Sequence, residues 1–429
     1  MRDIAITLLI LGLIPMILKY PWTGVLVFAW VSIFNPHRFA WGFAYDFQFV
    51  MVIGVVTVVS MLLHWKEVRL PINSITILLM LLPFWMTVTL LFALEPSAAF
   101  VRWEEVMKTF FFVLVAASLL HSRKHLEALL WVIVVSIGFY GIKGGIFTLL
   151  FGGEARVYGP PGTSFLRDNN AIAVALIMAI PLMHFLANTV SSKWLKLGMY
   201  GAVCLSGMAV LGSQSRGAFV GIVVMVVFLW LKSNKKLLSA MVLLPVCVFS
   251  IGFMPQEWVS RMDSIGNYEQ DASAQGRLNA WGMAFNLAND LPLVGGGFEP
   301  YVPRTFEMYA PDPTDLHSAH SIYFQMLGEH GYVGLALFLS LGIASWMTAR
   351  RTIKASRDCP DYAWEGNLAR AIQISLIGFA SAGAFVNIAY WDFVYYEIVI
   401  LMASYQTVLS AERKPGQGAL EPKQNVAVA

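Results

Sequence analysis

The segment Pro311–Leu335 reads PDPTDLHSAHSIYFQMLGEHGYVGL, a loop rich in proline and aspartate that turns into an apolar helix. His317 and His320 sit at the seam, and Glu329 and His330 follow inside the apolar run. His320 lies near the positive end of the helix dipole, which disfavours a protonated imidazole. A neutral imidazole at that place can take a proton from a hydroxyl near neutral pH. Tyr323 and Leu327 follow at i+3 and i+7, on about the same helix face. Glu329 falls deeper, where an ionisable group is costly and by default suspected of function. The bland alternatives are an interfacial residue in the helix N-cap region for His320 and pairing with a neighbouring helix for Glu329, and His317 reads more simply as a loop residue than as a second base.

Arginines stand in comparable settings elsewhere. Arg216 opens an apolar run after Gly212-Ser213-Gln214-Ser215, so its guanidinium can face water, and this side chain suits bidentate binding of phosphate oxygens. The bland alternative is a snorkelling arginine that caps a tight helical hairpin. Arg277, in Ala274-Gln275-Gly276-Arg277-Leu278-Asn279-Ala280-Trp281, begins an amphipathic stretch running to Leu287, and a salt bridge to Asp271 or Glu269 competes with a ligand role. Arg156 and Arg167 flank a further loop that ends in Asp168, Asn169 and Asn170, where helix capping is an equally good reading. Lys143, in GIKGG, either binds an anion or snorkels, and Asp392 reads as a cap. Several arginines and a histidine, without paired carboxylates at metal-binding spacing, suit a diphosphate substrate and a reaction that needs a base and no metal or other cofactor. Arginines would offset charge on a departing diphosphate while the histidine deprotonates an acceptor hydroxyl.

Membrane helices must carry these residues. Of the 429 residues 58% are hydrophobic and only 13% charged, about half the charge of a soluble domain. A span needs roughly 20 apolar residues, and candidate runs fall near 4–18, 21–34, 46–64, 72–94, 101–120, 126–150, 169–188, 194–211, 217–231, 237–254, 321–348, 367–389 and 393–410. The first two are short and separated only by Lys19-Tyr20-Pro21, as a hairpin or as one broken element. The first lacks a signal-peptidase site and reads as a retained anchor. Basic connections (His64–Arg69, His121–His125, Ser191–Lys196, Lys232–Lys236, Arg350–Arg357, Glu412–Lys414) alternate with loops of little positive charge, which assigns the basic set to the cytoplasm. All candidate site residues then lie at or toward the other face.

The loop 255–319 has three Arg, no Lys and nine Asp/Glu, and is too long for a mere connection. The division expected is an N-terminal membrane bundle over 1–254, a small periplasmic subdomain with short helices over 255–319, C-terminal membrane helices over 320–411, and a disordered cytoplasmic tail over 412–429. The isolated Cys204, Cys247 and Cys359 indicate neither disulfides nor metal binding. No P-loop or dinucleotide fingerprint appears, which argues against an ATP-driven pump. The 29 basic and 26 acidic residues nearly cancel, so nothing points to nucleic acid, and a monomer is expected.

Three motifs, Ser215–Ala218 (SRGA), Gly276–Trp281 (GR-x-x-x-W) and His320–Gly331 (H-S-x-Y-x-Q-x-L-G-E-x-G), together resemble the O-antigen ligase and O-antigen polymerase superfamily of bacterial inner-membrane proteins. The likeness covers about 155–345. Asn35-Pro36-His37-Arg38 with Trp41–Asp46 is similar to a subgroup of O-glycosylation ligases of exopolysaccharide-associated systems. The resemblance implies an all-α, polytopic, GT-C-like glycosyltransferase with about twelve transmembrane helices and both termini cytoplasmic. It implies metal-independent, inverting transfer from an undecaprenyl-diphosphate-linked glycan at the periplasmic surface. By position His320 would be the base, Arg216 and Arg277 would hold the diphosphate, and Arg156 to Asn170 would line the cavity. The lipid A-core oligosaccharide is the first choice of acceptor; another glycan repeat or a protein hydroxyl are the rivals. A flippase that breaks no bond is the rival of another class.

Overall fold

The computed structural model describes residues 1–162, 165–232, 235–263, 271–357 and 359–412, and among these every regular element is a helix. The chain begins with α1 (Arg2–Gly12), α2 (Ile14–Lys19) and α3 (Pro21–Phe34). The first apolar region is thus broken twice, at Leu13 and at Tyr20, whose extended backbone redirects the chain so that Pro21 can open α3. There follow α4 (Phe49–Leu63), α5 (Ser74–Leu90), α6 (Pro96–Leu119), α7 (Arg123–Leu150), α8 (Asn169–Thr189), α9 (Lys193–Gly212), α10 (Arg216–Lys232) and α11 (Lys236–Gly252). The long loop holds α12 (Gln256–Asp263), α13 (Ala272–Asp290) and α14 (Pro303–Tyr309). The chain closes with α15 (Ile322–Ala355), α16 (Ala363–Ala382) and α17 (Asp392–Glu412).

Six helical stretches among the described residues are long and apolar enough to cross a membrane: Arg123–Leu150, Asn169–Thr189, Lys193–Gly212, Ile322–Ala355, Pro360–Phe385 and Asp392–Ser410. The helices α3, α4 and α5 are apolar but shorter. The fold is therefore that of an all-helical, polytopic membrane protein. Glu269 and the expected tail beyond residue 412 lie outside the described residues.

The helix α8 is the axis of the bundle, with 83% of its apolar window buried. Its sequence is apolar all round and rich in alanine (Ala171, Ala173, Ala175, Ala179, Ala187), so several helices can approach it at once. The helices α7 and α9 meet through Gly141, Gly144 and Gly145, where an added Cβ would collide with Ser206, Ala209 and the Leu205 backbone. Lipid gives no hydrophobic drive to bring helices together, so this close van der Waals fit of small residues does much of the work.

The long loop has its own apolar cluster. One face of α13 buries Ala280, Met283 and Leu287, against Phe306 of α14. The helix also packs on α15, where Ala284 lies against Gly328. The short α12 docks on the end of α9, where the Trp258 indole donates to the Leu211 carbonyl at 3.0 Å.

The helix α15 is two helices in one run. Gly331 has φ 66° and ψ −170°, a region only glycine occupies freely, so the continuous 321–348 span expected from hydropathy is divided into 322–330 and 332–355. The break is bonded on each side. The Gly328 carbonyl accepts from the Gly296 amide at 2.8 Å, the Tyr332 amide donates to Pro292 at 2.9 Å, and the Trp85 indole donates to the His330 carbonyl at 3.2 Å.

Candidate functional site

Three chain segments meet where α10, α13 and α15 begin. Arg216 is the first residue of α10. Its guanidinium grips both carboxylate oxygens of Asp271, one through Nη1 and the other through Nη2 at 3.0 Å. Asp271 is also the N-cap of α13, accepting from the Ala274 amide at 2.9 Å. One carboxylate therefore fixes the start of α13 and ties it to the start of α10.

Arg277 follows on α13, half-buried beside this pair. Among the described residues it forms no ion pair at hydrogen-bonding distance, and Asp271 acts on it through space. Burial, with Arg216 and Arg261 nearby, lowers its pKa against the opposing pull of Asp271. Arg261 of α12 belongs to the same group; burial, Arg156 and Arg216 lower its pKa, and Asp271 and Tyr158 oppose them. Arg156 donates through Nε to the Gln214 side chain at 3.2 Å, while the Gln214 amide holds the carbonyls of Gly153 and Glu154 at 3.0 and 3.1 Å. Arg216, Arg261 and Arg277 thus gather around Asp271, with Arg156 beside Arg261. Like charges held together raise the energy of the empty site and favour an anion there.

His320 borders this cluster. It has φ 42°, an uncommon conformation for a residue with a side chain. Ser321 follows as N-cap, its amide donating to the Asn387 side chain at 3.2 Å. Burial, then Arg277 and His317, hold the imidazole below its ordinary pKa of 6.5, while Asp168 acts the other way. The neutral ring is the favoured form, as a proton acceptor requires.

The loop bearing both histidines is clamped to α13. The Asn279 amide donates to the carbonyls of Asp312 and Asp315 at 2.7 and 2.8 Å and accepts from the Asp312 amide at 2.8 Å. The Trp281 indole donates to the Ala319 carbonyl at 2.6 Å, and its ring stacks on Phe324 at 4.8 Å. The His317 ring lies against Gly276, where a Cβ would not fit, and its Nε2 meets Asp315 at 2.9 Å. The Gly276–Trp281 motif is therefore the mount for the His320 loop.

Other residues singled out from the sequence fall in different places. Asn169 donates to the Ser213 carbonyl at 2.8 Å, joining α8 to the turn before Arg216. Asp168 caps α8 through the amides of Asn170 and Ala171. Arg167 is exposed on the same loop. Tyr323 donates its hydroxyl to the Ala380 carbonyl at 2.8 Å, a contact with α16. Lys143 is exposed on α7. Asp392 accepts from Ser32 at 2.8 Å and is buried. Glu329 lies in a separate buried network: it accepts from the Tyr390 hydroxyl, which meets His330 Nε2 at 2.8 Å, and His330 Nδ1 meets the Thr89 hydroxyl at 2.7 Å. The network joins α15 to Thr89 of α5 and to Tyr390 in the turn before α17.

Sequence reasoning passed over Arg261, Asn279 and Trp281 as site residues. A lone arginine in a short helix has no motif, and the clamp is visible only once α13 and the loop 312–320 are side by side.

Residues 201–339 match a family model described as O-Antigen ligase. Residues 1–191 match one described as a family of unknown function (DUF5935). A comparison with curated proteins returned no match. The first of these segments contains Arg216, Arg277 and His320.

Proposed function

From its membership of the O-antigen ligase superfamily, carried by residues 201–339, we propose that this protein is an O-antigen ligase. It moves a preassembled polysaccharide en bloc from undecaprenyl diphosphate to a hydroxyl of the lipid A-core oligosaccharide. The observation that supports this reading most is the convergence of Arg216, Arg261 and Arg277 beside an imidazole that favours its neutral form.

In the proposed reaction His320 takes the proton of the acceptor hydroxyl as its oxygen attacks the anomeric carbon. The bond from that carbon to the diphosphate oxygen breaks, and its electron pair leaves with undecaprenyl diphosphate. Arg216 and Arg277, with Arg156 at the edge, stabilise the charge that develops on the leaving group. Attack from the face opposite the diphosphate inverts the anomeric configuration. The two N–H bonds from Arg216 to Asp271 hold its guanidinium at the start of α10, beside Arg277.

Inner-membrane localisation, about twelve spans, and a site facing the periplasm belong to the same proposal, on the strength of the Lys/Arg bias of the loops. So does kinship with exopolysaccharide-associated ligases, on the strength of Asn35–Arg38.

Reconstitution of the purified chain with a lipid-linked glycan tests the acceptor. The expected product forms with lipid A-core and not with donor alone or with a serine-containing peptide. Chain elongation with donor alone would make the protein a polymerase, and glycosylation of the peptide a protein O-oligosaccharyltransferase. Transfer should run at full rate in EDTA; a loss restored by Mg²⁺ would contradict the metal-independent mechanism.

A further inference from the structure

A polar cavity lies at the start of α7, at the end of that helix away from the arginine cluster. It has a volume of about 280 Å³ and is lined by Trp22, Lys66, Arg69, His121 and His125, with Glu67 as its one carboxylate and Leu119 as part of its wall. Two helices start at its edge: α3 with Pro21 and α7 with its Ser122 cap, both presenting the positive end of the helix dipole. The Ser118 carbonyl at the end of α6 is occupied, accepting from the Arg69 amide at 2.9 Å and meeting His121 Nε2 at 2.7 Å. The Trp22 and His125 rings stack at 4.3 Å, and the buried His125 Nδ1 has no hydrogen-bond partner among the described residues. Two full cations, two imidazoles and two helix N-termini thus face a space with one carboxylate.

We propose that this cavity binds the phosphate headgroup of an anionic phospholipid. Basic pockets between membrane helices suit such headgroups. A free phosphate would need only the cations. Here Leu62, Leu63 and Trp65, immediately before Lys66, expose large apolar side chains beside the cavity, as contact with acyl chains requires. The site is independent of the glycan reaction and lies on the basic loops assigned to the cytoplasmic leaflet.

The test uses the full chain in detergent, stripped of lipid and titrated with phosphatidylglycerol or phosphatidylcholine, with bound lipid read by native mass spectrometry. Phosphatidylglycerol should be retained in preference. The K66Q/R69Q double variant should lose about fivefold in affinity per cation removed, while K66R/R69K retains binding and controls for folding. Excess inorganic phosphate should not displace the lipid. Equal retention of the two lipids, unchanged binding by K66Q/R69Q, or displacement by inorganic phosphate would each overturn the proposal.

Discussion

A histidine acts as a base only while its ring is neutral, and at position 320 burial and the Arg277 guanidinium favour that form. The sign of the pH dependence follows. Transfer rises as pH climbs through the imidazole pKa and levels off above it, and the depressed pKa places this limb below 6.5. Arg277→Gln removes one of the charges that depress it, so the limb should move up toward 6.5. The same change should weaken donor affinity by roughly tenfold to a hundredfold, as the loss of a charged hydrogen bond implies. A pH–rate profile of the variant that overlays the wild type would show that the two side chains do not communicate. As candidates, Arg216 and His320 could be picked from the sequence because each stands where a polar loop turns into an apolar helix, and Arg277 because it is one of three cations in an acidic loop. The bond between Arg216 and Asp271 was not, since the two are 55 positions apart and nothing local pairs them.

At the scale of elements, α13 is the part that sets geometry. It starts on Asp271, carries Arg277, and holds the His320 loop through Asn279 and Trp281. Asn279→Ala deletes three hydrogen bonds to that loop. It should lower the transfer rate by about a hundredfold, the scale of a misplaced catalytic group, while donor affinity changes little; equal falls in both would make the residue a general support of the fold. The break in α15 sets the angle of the segment that leads to His320. Gly331→Ala forces a side chain into a glycine-only conformation and against the carbonyls of Pro292 and Leu293. The cost should be about 1–3 kcal/mol, read as a lowered Tm in detergent; an unchanged Tm would mean the break relaxes freely. Hydropathy located most of the apolar helices to within a few residues, because a span is a composition rule, although α15 runs seven residues past its expected end and α16 stops seven short. It could not show the break, because glycine within an apolar helix is ordinary and only the bonds to Pro292, Gly296 and Trp85 make this one a joint.

For the whole molecule, an alanine-rich α8 draws the bundle together and leaves the polar chemistry at the ends of the helices. Charge is divided accordingly, with Lys-bearing loops at one set of connections and a Lys-free acidic loop at another. Which helix ends meet is a tertiary outcome, and so the gathering of Arg261 and Arg277 around the Arg216–Asp271 pair lay beyond the reach of local pattern. The central claim is that this cluster grips a diphosphate while His320 performs the proton transfer. It is tested most directly by measuring donor binding and glycan transfer side by side in purified wild type and His320→Ala. The account predicts binding within about twofold of wild type and transfer reduced by at least about a hundredfold, the range of a lost general base. Transfer at the wild-type rate by the variant would contradict it.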